Sequence, residues 1–155
     1  MNIELVKTVE LPLIQRMVQL ESEAFSHGGL NEWHLVPFIR HGRVYAALKN
    51  QEIVGLVQYM LDWDNPRKAY MMGVSIAKEV RGRGLGTEFI ERSLQMLAGE
   101  NIEEVELTVD PANIVAIRVY EGKLGFVAKG IRTNEYGKGE DRIVMILTIK
   151  EMKGL

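Results

Sequence analysis

Residues 74–94, VSIAKEVRGRGLGTEFIERSL, constrain the fold more than any other stretch. An apolar run that includes Val74, Ser75 and Ile76 reads as a strand. It feeds a loop with three glycines in five residues, Gly82, Gly84 and Gly86, beside Arg81 and Arg83. Leu85 and Thr87 then open an amphipathic helix that places Phe89, Ile90, Ser93, Leu94 and Leu97 on one face. The first N–H groups of a helix have no partner within it, and its dipole is positive at that end. Glycines let the backbone curl against a phosphate without Cβ clashes. The segment therefore points to a phosphate-bearing ligand. The plainer alternative is a tight strand-to-helix turn with solvated arginines.

Two common phosphate loops do not fit. In a G-x-G-x-x-G pattern, counting from Gly82 puts Thr87 at the last glycine and counting from Gly84 puts Phe89 there. No Gly-Lys-Ser/Thr occurs, so there is no Walker A sequence either. A length of 155 residues suits one domain. A net charge of −2 argues against a nucleic-acid partner. With no cysteines there is neither a thiol nucleophile nor a disulfide framework. The N-terminus lacks signal-peptide character, and no apolar run is long enough to span a membrane, so a cytoplasmic protein is expected. His27, His34 and His41 are seven residues apart, too far along a helix for one metal, and no metal site is expected.

The rest of the chain reads as β-α-α-β-β-β-α-β-α-β-β. NIELVKTV alternates as a first strand. LPLIQRMVQLESEAF carries Leu13, Met17, Leu20 and Phe25 at helical spacing. EWHLVPFIRH is a short helix that Pro37 should disturb. RVYAALK and IVGLVQYML form a hairpin around NQE, and AYMMGVSIA is the fourth strand. VELTV, a helix from NIVAIRVYEGK with Asn113 as N-cap, and two strands around NEYGKGED complete the order. Hairpins mixed with β-α-β crossovers imply an α/β protein with a mixed sheet flanked by helices.

Arg81, Gly84 and Gly86 form R-x-x-G-x-G, which resembles the pyrophosphate loop of the GCN5-related N-acetyltransferase (GNAT) superfamily. Downstream, NIVAIRVYEGKLGF resembles that superfamily's N-x-x-A-x-x-x-Y…G-F segment. Asn113, Ala116 and Tyr120 there are spaced to share one face of an α-helix. One departure stands out: Gly125 comes five positions after Tyr120 where the family has four, with Gly122 extra. An early helix C-cap or a small bulge at Gly122 would absorb it.

The resemblance implies one acetyltransferase domain over residues 1–155. Its sheet would have about seven strands, mostly antiparallel, with about four helices and a splayed central strand pair. It implies acetyl-CoA as cosubstrate, with direct transfer to an amine. Val74, Ser75 and Ile76 would hold pantetheine through their backbone. Arg81, Gly82, Arg83, Gly84, Leu85, Gly86 and Thr87 would hold the pyrophosphate. Asn113, Ala116 and Tyr120 would line the cofactor, with Tyr120 the general acid. Glu106 is the candidate base. Asp110 follows on the same strand face if that strand continues, and a water relay is a further choice.

The ending, with Arg132, Tyr136, Gly139, Glu140, Asp141, Ile143 and Met145, resembles the tail of the ribosomal-protein alanine N-acetyltransferases. Thr108 stands where that group has its glutamate base. Trp33, Asp110 and Tyr136 are the candidate substrate residues. The acceptor would be a protein or peptide N-terminus. Alternatives are a small-molecule amine (polyamine, amino acid or aminoglycoside) or a non-catalytic acyl-CoA sensor. No nucleic-acid or membrane partner is expected, and either a monomer or a homodimer is compatible.

Overall fold

The computed structural model describes residues 1–153. The strands are β1 (Asn2–Leu5), β2 (Arg43–Lys49), β3 (Glu52–Leu61), β4 (Lys68–Ile76), β5 (Glu104–Val109), β6 (Val127–Arg132) and β7 (Arg142–Thr148). The helices are α1 (Leu11–Phe25), α2 (Glu32–His41), α3 (Leu85–Ala98) and α4 (Ile114–Ile117), the last continuing as a π-helix over Arg118–Leu124. The sheet order is β1-β2-β3-β4-β5-β7-β6, the expected mixed sheet of seven strands. No helix among the described residues is long and apolar enough to cross a membrane. The chain divides into two compact units, Met1–Met60 with Met71–Ser93 and Leu61–Tyr70 with Leu94–Leu155.

In the first unit β1, β2 and β3 pair antiparallel. The β2–β3 turn uses Asn50 and Gln51, both at positive φ (51° and 66°), the backbone of a two-residue hairpin turn. Val44–Ala47 and Ile53–Tyr59 are buried on both faces. The buried stripe of α1 is Ile14, Met17, Leu20 and Glu21. It is rotated from the expected stripe, so Phe25 lies 44% exposed and a carboxylate takes an inward position. Pro37 leaves α2 whole, contrary to expectation. The bond its ring removes would have gone to the carbonyl of Trp33, which lies in the exposed first turn. Asn31 opens α2 with a capping box in which His34 Nδ1 accepts from the Asn31 N–H at 3.2 Å. The expected inner face of α3 is buried throughout, and Ser93 Oγ meets the Tyr59 hydroxyl at 2.7 Å.

In the second unit β4 pairs parallel with β5 over only three residue pairs, Lys68↔Glu104 to Tyr70↔Glu106. β5 and β6 each pair antiparallel with β7. β5 alternates strictly: Val105, Leu107 and Val109 are buried, and Glu104, Glu106 and Thr108 face the other way.

The extra residue before Gly125 has a structural explanation. It is taken up by the π-helix, in which Tyr120 O accepts from Gly125 N at 2.9 Å, an i→i+5 bond. Gly122 is therefore not the cap, and the bulge expected there takes the form of the widened π turn that contains it. The cap is Gly125, in the left-handed region at φ 94°. A Cβ at Gly125 would also press on Lys153 Cγ at 3.3 Å, whereas one at Gly122 meets nothing. Gly125→Ala should lower the free energy of unfolding by about 1–2 kcal/mol. Gly122→Ala should leave it unchanged or raise it. Urea titration of the two variants reads both.

Candidate active site

In the first unit, Ala77 N–H donates to Val54 O at 2.8 Å, and a 3₁₀ turn over Lys78–Val80 leads into the glycine loop. Gly82 and Gly84 have φ of 79° and 75°, and a Cβ on either would meet no atom within 4 Å. These glycines relieve no crowding. They supply a backbone shape that other residues resist, in a loop open to solvent. The first N–H closed inside α3 is that of Glu88, onto Gly84 O at 3.1 Å. The N–H groups of Leu85, Gly86 and Thr87 precede it and have no acceptor within the helix. Arg81 Nε donates to Ile76 O at 2.8 Å and braces the loop against the strand end. A Cβ at Gly86 would lie 3.5 Å from Ile76 Cγ1, so the helix start packs closely on β4. This cradle fits a pyrophosphate: exposed left-handed glycines, unpaired helix N–H groups and the cation Arg83 beside them.

The strand before the loop splits its residues by face. Val74 and Ile76 are half-buried, while Ser75 is buried with its hydroxyl turned to the Glu21 carboxylate. The Ser75 side chain is therefore engaged within the first unit. Trp33, in the first turn of α2, is 80% exposed and so takes no part in the core.

In the second unit, every candidate carboxylate is engaged. Glu106 Oε1 lies 3.0 Å from Lys68 Nζ, and its Oε2 lies 3.2 Å from Arg132 Nη2. Glu104 lies 3.6 Å from Lys68. Asp110 falls beyond the end of β5, and its carboxylate accepts from Ala112 N at 2.9 Å. The expected continuation of the strand face to Asp110 is therefore not found, because the chain turns there, ahead of the Asn113 cap of α4.

Beside Glu106 on the same face, the Thr108 and Tyr70 hydroxyls lie 2.9 Å apart. Burial, with smaller effects from Tyr136 and Glu106, pushes the Tyr70 phenol up to about 12. Tyr136 stands 57% exposed in the β6–β7 loop, under the Arg142 guanidinium at 5.0 Å. That loop is pinned: Asn134 N donates to Asp141 Oδ1, and Gly139 N to Asn134 Oδ1, each at 2.8 Å. Sequence reasoning missed Lys68 and Tyr70, whose partners are set by the β4–β5 register alone.

Asn113 caps α4 as expected, with Oδ1 accepting from Ala116 N at 3.2 Å. Asn113 and Ala116 keep α-helical spacing, but Tyr120 stands in the π segment, where a turn takes more residues. Its ring packs edge-on to Phe126, centroids 5.7 Å apart. Burial pushes the Tyr120 phenol up to about 12.

Comparison with known proteins supplies a family. The model of the acetyltransferase (GNAT) family matches residues 14–126. An N-alpha-acetyltransferase of Saccharolobus solfataricus is 27% identical over 123 residues, covering 70% of this chain and 73% of the relative. The crystal structure of the ribosomal-protein-S18-alanine N-acetyltransferase from Escherichia coli superposes with a TM-score of 0.79 at 20% identity, covering 96% of this chain and 93% of that one. The aminoglycoside 6'-acetyltransferase type Ii superposes with 0.80 at 16% identity, covering 96% and 97%. Two different acceptors thus sit on one fold, so the likeness to these structures carries the fold alone.

Lys68 links the Glu106 arrangement to pH. Its ammonium is held above the usual lysine range, first by the hydrogen bond to Glu106, against an opposing effect of burial, with the charges of Glu106, Glu104 and Asp62 adding to it. A raised pKa means that the stabilisation is complete below the unfolded value of about 10.4 and is lost as pH rises through the folded one. Glu106→Gln should therefore lower the urea midpoint at pH 8. The gap to the parent should narrow above about pH 10.4.

Proposed function

This chain belongs to the acetyltransferase (GNAT) family and is an acetyl-CoA-dependent N-acetyltransferase, and we propose that its acceptor is the α-amine of a protein or peptide N-terminus. One observation carries the choice. Glu104, Glu106 and Asp110 are all engaged in ion pairs or a turn, so no free carboxylate base stands ready. A lysine-type amine, with a pKa of about 10.4, would need one at neutral pH, whereas an α-amine, at about 7.7–8.0, is already partly neutral. Water, relayed past the Tyr70 and Thr108 hydroxyls, suffices to take the remaining proton. Relatives named N-alpha-acetyltransferase support the same reading.

The residues divide the work. Acetyl-CoA brings the acetyl group as a thioester. The N–H groups from Gly82 to Thr87, with Arg83, hold its pyrophosphate, and the backbone of Val74 to Ile76 holds the pantetheine arm. A backbone N–H near Ile76 polarises the carbonyl. The amine nitrogen bonds to the carbonyl carbon, the C–S bond breaks, and the amine proton leaves to water. Tyr120 gives its proton to the departing thiolate sulfur. A phenol at about 12 is fully protonated at neutral pH, which a proton donor requires. Glu106 acts as a charge organiser that fixes Lys68 and Arg132, and Tyr136 with Trp33 contacts the acceptor. The whole chain, residues 1–155, serves as one acetyltransferase domain.

Free-thiol release from acetyl-CoA tests the acceptor. Peptides with free N-termini should turn over, and polyamines, amino acids and aminoglycosides should not. Turnover of the small amines alone would overturn the reading in favour of its alternative. Tyr120→Phe should lower kcat by roughly 10²–10⁴-fold while acetyl-CoA still binds, measured by calorimetry. Because the phenol titrates near 12, Tyr120 should add no alkaline limb to the rate profile below pH 10.

A further inference from the structure

Glu21 is an ionisable group that the chemistry above leaves unused. It is 1% exposed on the inner stripe of α1. Three donors converge on its carboxylate: Leu30 N to Oε2 at 3.2 Å, and Gln58 Nε2 and Ser75 Oγ to Oε1 at 2.8 and 3.4 Å. Burial raises its pKa, and these three hydrogen bonds oppose that.

A carboxylate can only accept, so it dictates how the Gln58 amide faces. The NH₂ turns to Glu21, and the carbonyl must turn away. Gln58 is fully buried, yet its Oε1 has no hydrogen-bond partner among the described residues. Buried polar atoms are seldom left so, and each costs about 1–3 kcal/mol unless a partner arrives. The oxygen borders a small space that a side chain at position 73 would fill. A Cβ on Gly73 would lie 3.6 Å from Gln58 Oε1 and 3.8 Å from Phe25 Cζ. Phe25 ends α1, is 44% exposed and stands outside that helix's buried stripe, so its ring can turn away without opening the stripe. Gly73 immediately precedes Val74 to Ile76 on β4.

We propose that Gln58 Oε1 is a specificity determinant. It accepts a hydrogen bond from the hydroxyl of a first-residue serine or threonine, which enters the space beside Gly73 when the Phe25 ring turns out. This rests on the N-terminal acceptor reading. A single Cβ there already lies in contact range of Gln58 Oε1 and Phe25, which favours a small side chain. A lone neutral amide oxygen suits a neutral donor and is a poor match for a buried cation. An alanine start would fill the same space and leave the oxygen unpaired.

The test compares kcat/KM for peptides identical except for a first residue of Ser or Ala. The parent should favour Ser by about ten-fold, the effect of one neutral hydrogen bond. Gly73→Ala places a methyl at ordinary contact distance and leaves the Gln58–Glu21 bond intact. It should bring the Ser-to-Ala ratio to about one, with acetyl-CoA affinity within two-fold of the parent. Gln58→Met removes the oxygen at similar length and should also abolish the ratio, giving a second readout should the first variant fold poorly. Equal rates for Ser and Ala in the parent, or an unchanged ratio in both variants, would overturn the proposal while leaving N-terminal acetylation standing. Turnover confined to small-molecule amines would remove the N-terminal reading and this proposal with it.

Discussion

The three-residue parallel ladder between β4 and β5 is the constraint on which the chemistry of the second unit depends. Parallel strands carry no hairpin to set their register, so side-chain patterning and the crossover must do it. Once Lys68 stands opposite Glu104 and Tyr70 opposite Glu106, the rest follows. Lys68 Nζ reaches Glu106, and the Tyr70 hydroxyl reaches Thr108. A slip of one residue would send Lys68 and Tyr70 to the opposite face and leave Glu106 with Arg132 alone. The same strand continues through Gly73 to Ile76, so that one run of backbone carries part of each unit's chemistry.

Charge on this face is organised around engagement. Glu106 is 13% exposed at its side chain and holds a cation at each oxygen. A carboxylate held in this way keeps Lys68 and Arg132 in place. The hydroxyls beside it are unsuited to be bases, since burial drives the Tyr70 phenol up. Glu21 shows the same logic in the first unit, where a buried carboxylate orients the groups around it and leaves Gln58 Oε1 as the unmet atom.

The π-helix shows how a one-residue insertion is tolerated beside the proposed proton donor, Tyr120. An α-helix of fixed length could not take in Gly122 without rotating everything after it. Widening the turn lets Tyr120 O accept from both Gly125 and Phe126 N–H at 2.9 Å. Gly125 then ends the helix in the left-handed region, and Phe126 returns to the Tyr120 ring.

The sequence by itself determined whatever depends on local periodicity and backbone chemistry. The order of strands and helices, the inner face of α3, the Asn113 cap and the glycine loop were all legible, because each follows from neighbours within about a turn or two. The left-handed shape of Gly82 and Gly84 belongs here too, since only glycine takes it without strain. The tertiary structure alone decided what depends on partners far along the chain. Glu106 looked like a free base until Lys68 and Arg132, 38 and 26 residues away, closed on it. Asp110 looked like a strand residue until its carboxylate closed a turn onto Ala112 N ahead of the Asn113 cap. Glu21 and Gln58 read as ordinary helix and strand positions, and only their 2.8 Å contact across 37 residues sets the amide's direction. Periodicity says which face a side chain takes. It does not say what waits on the other side, and for charged and polar groups that partner decides the role.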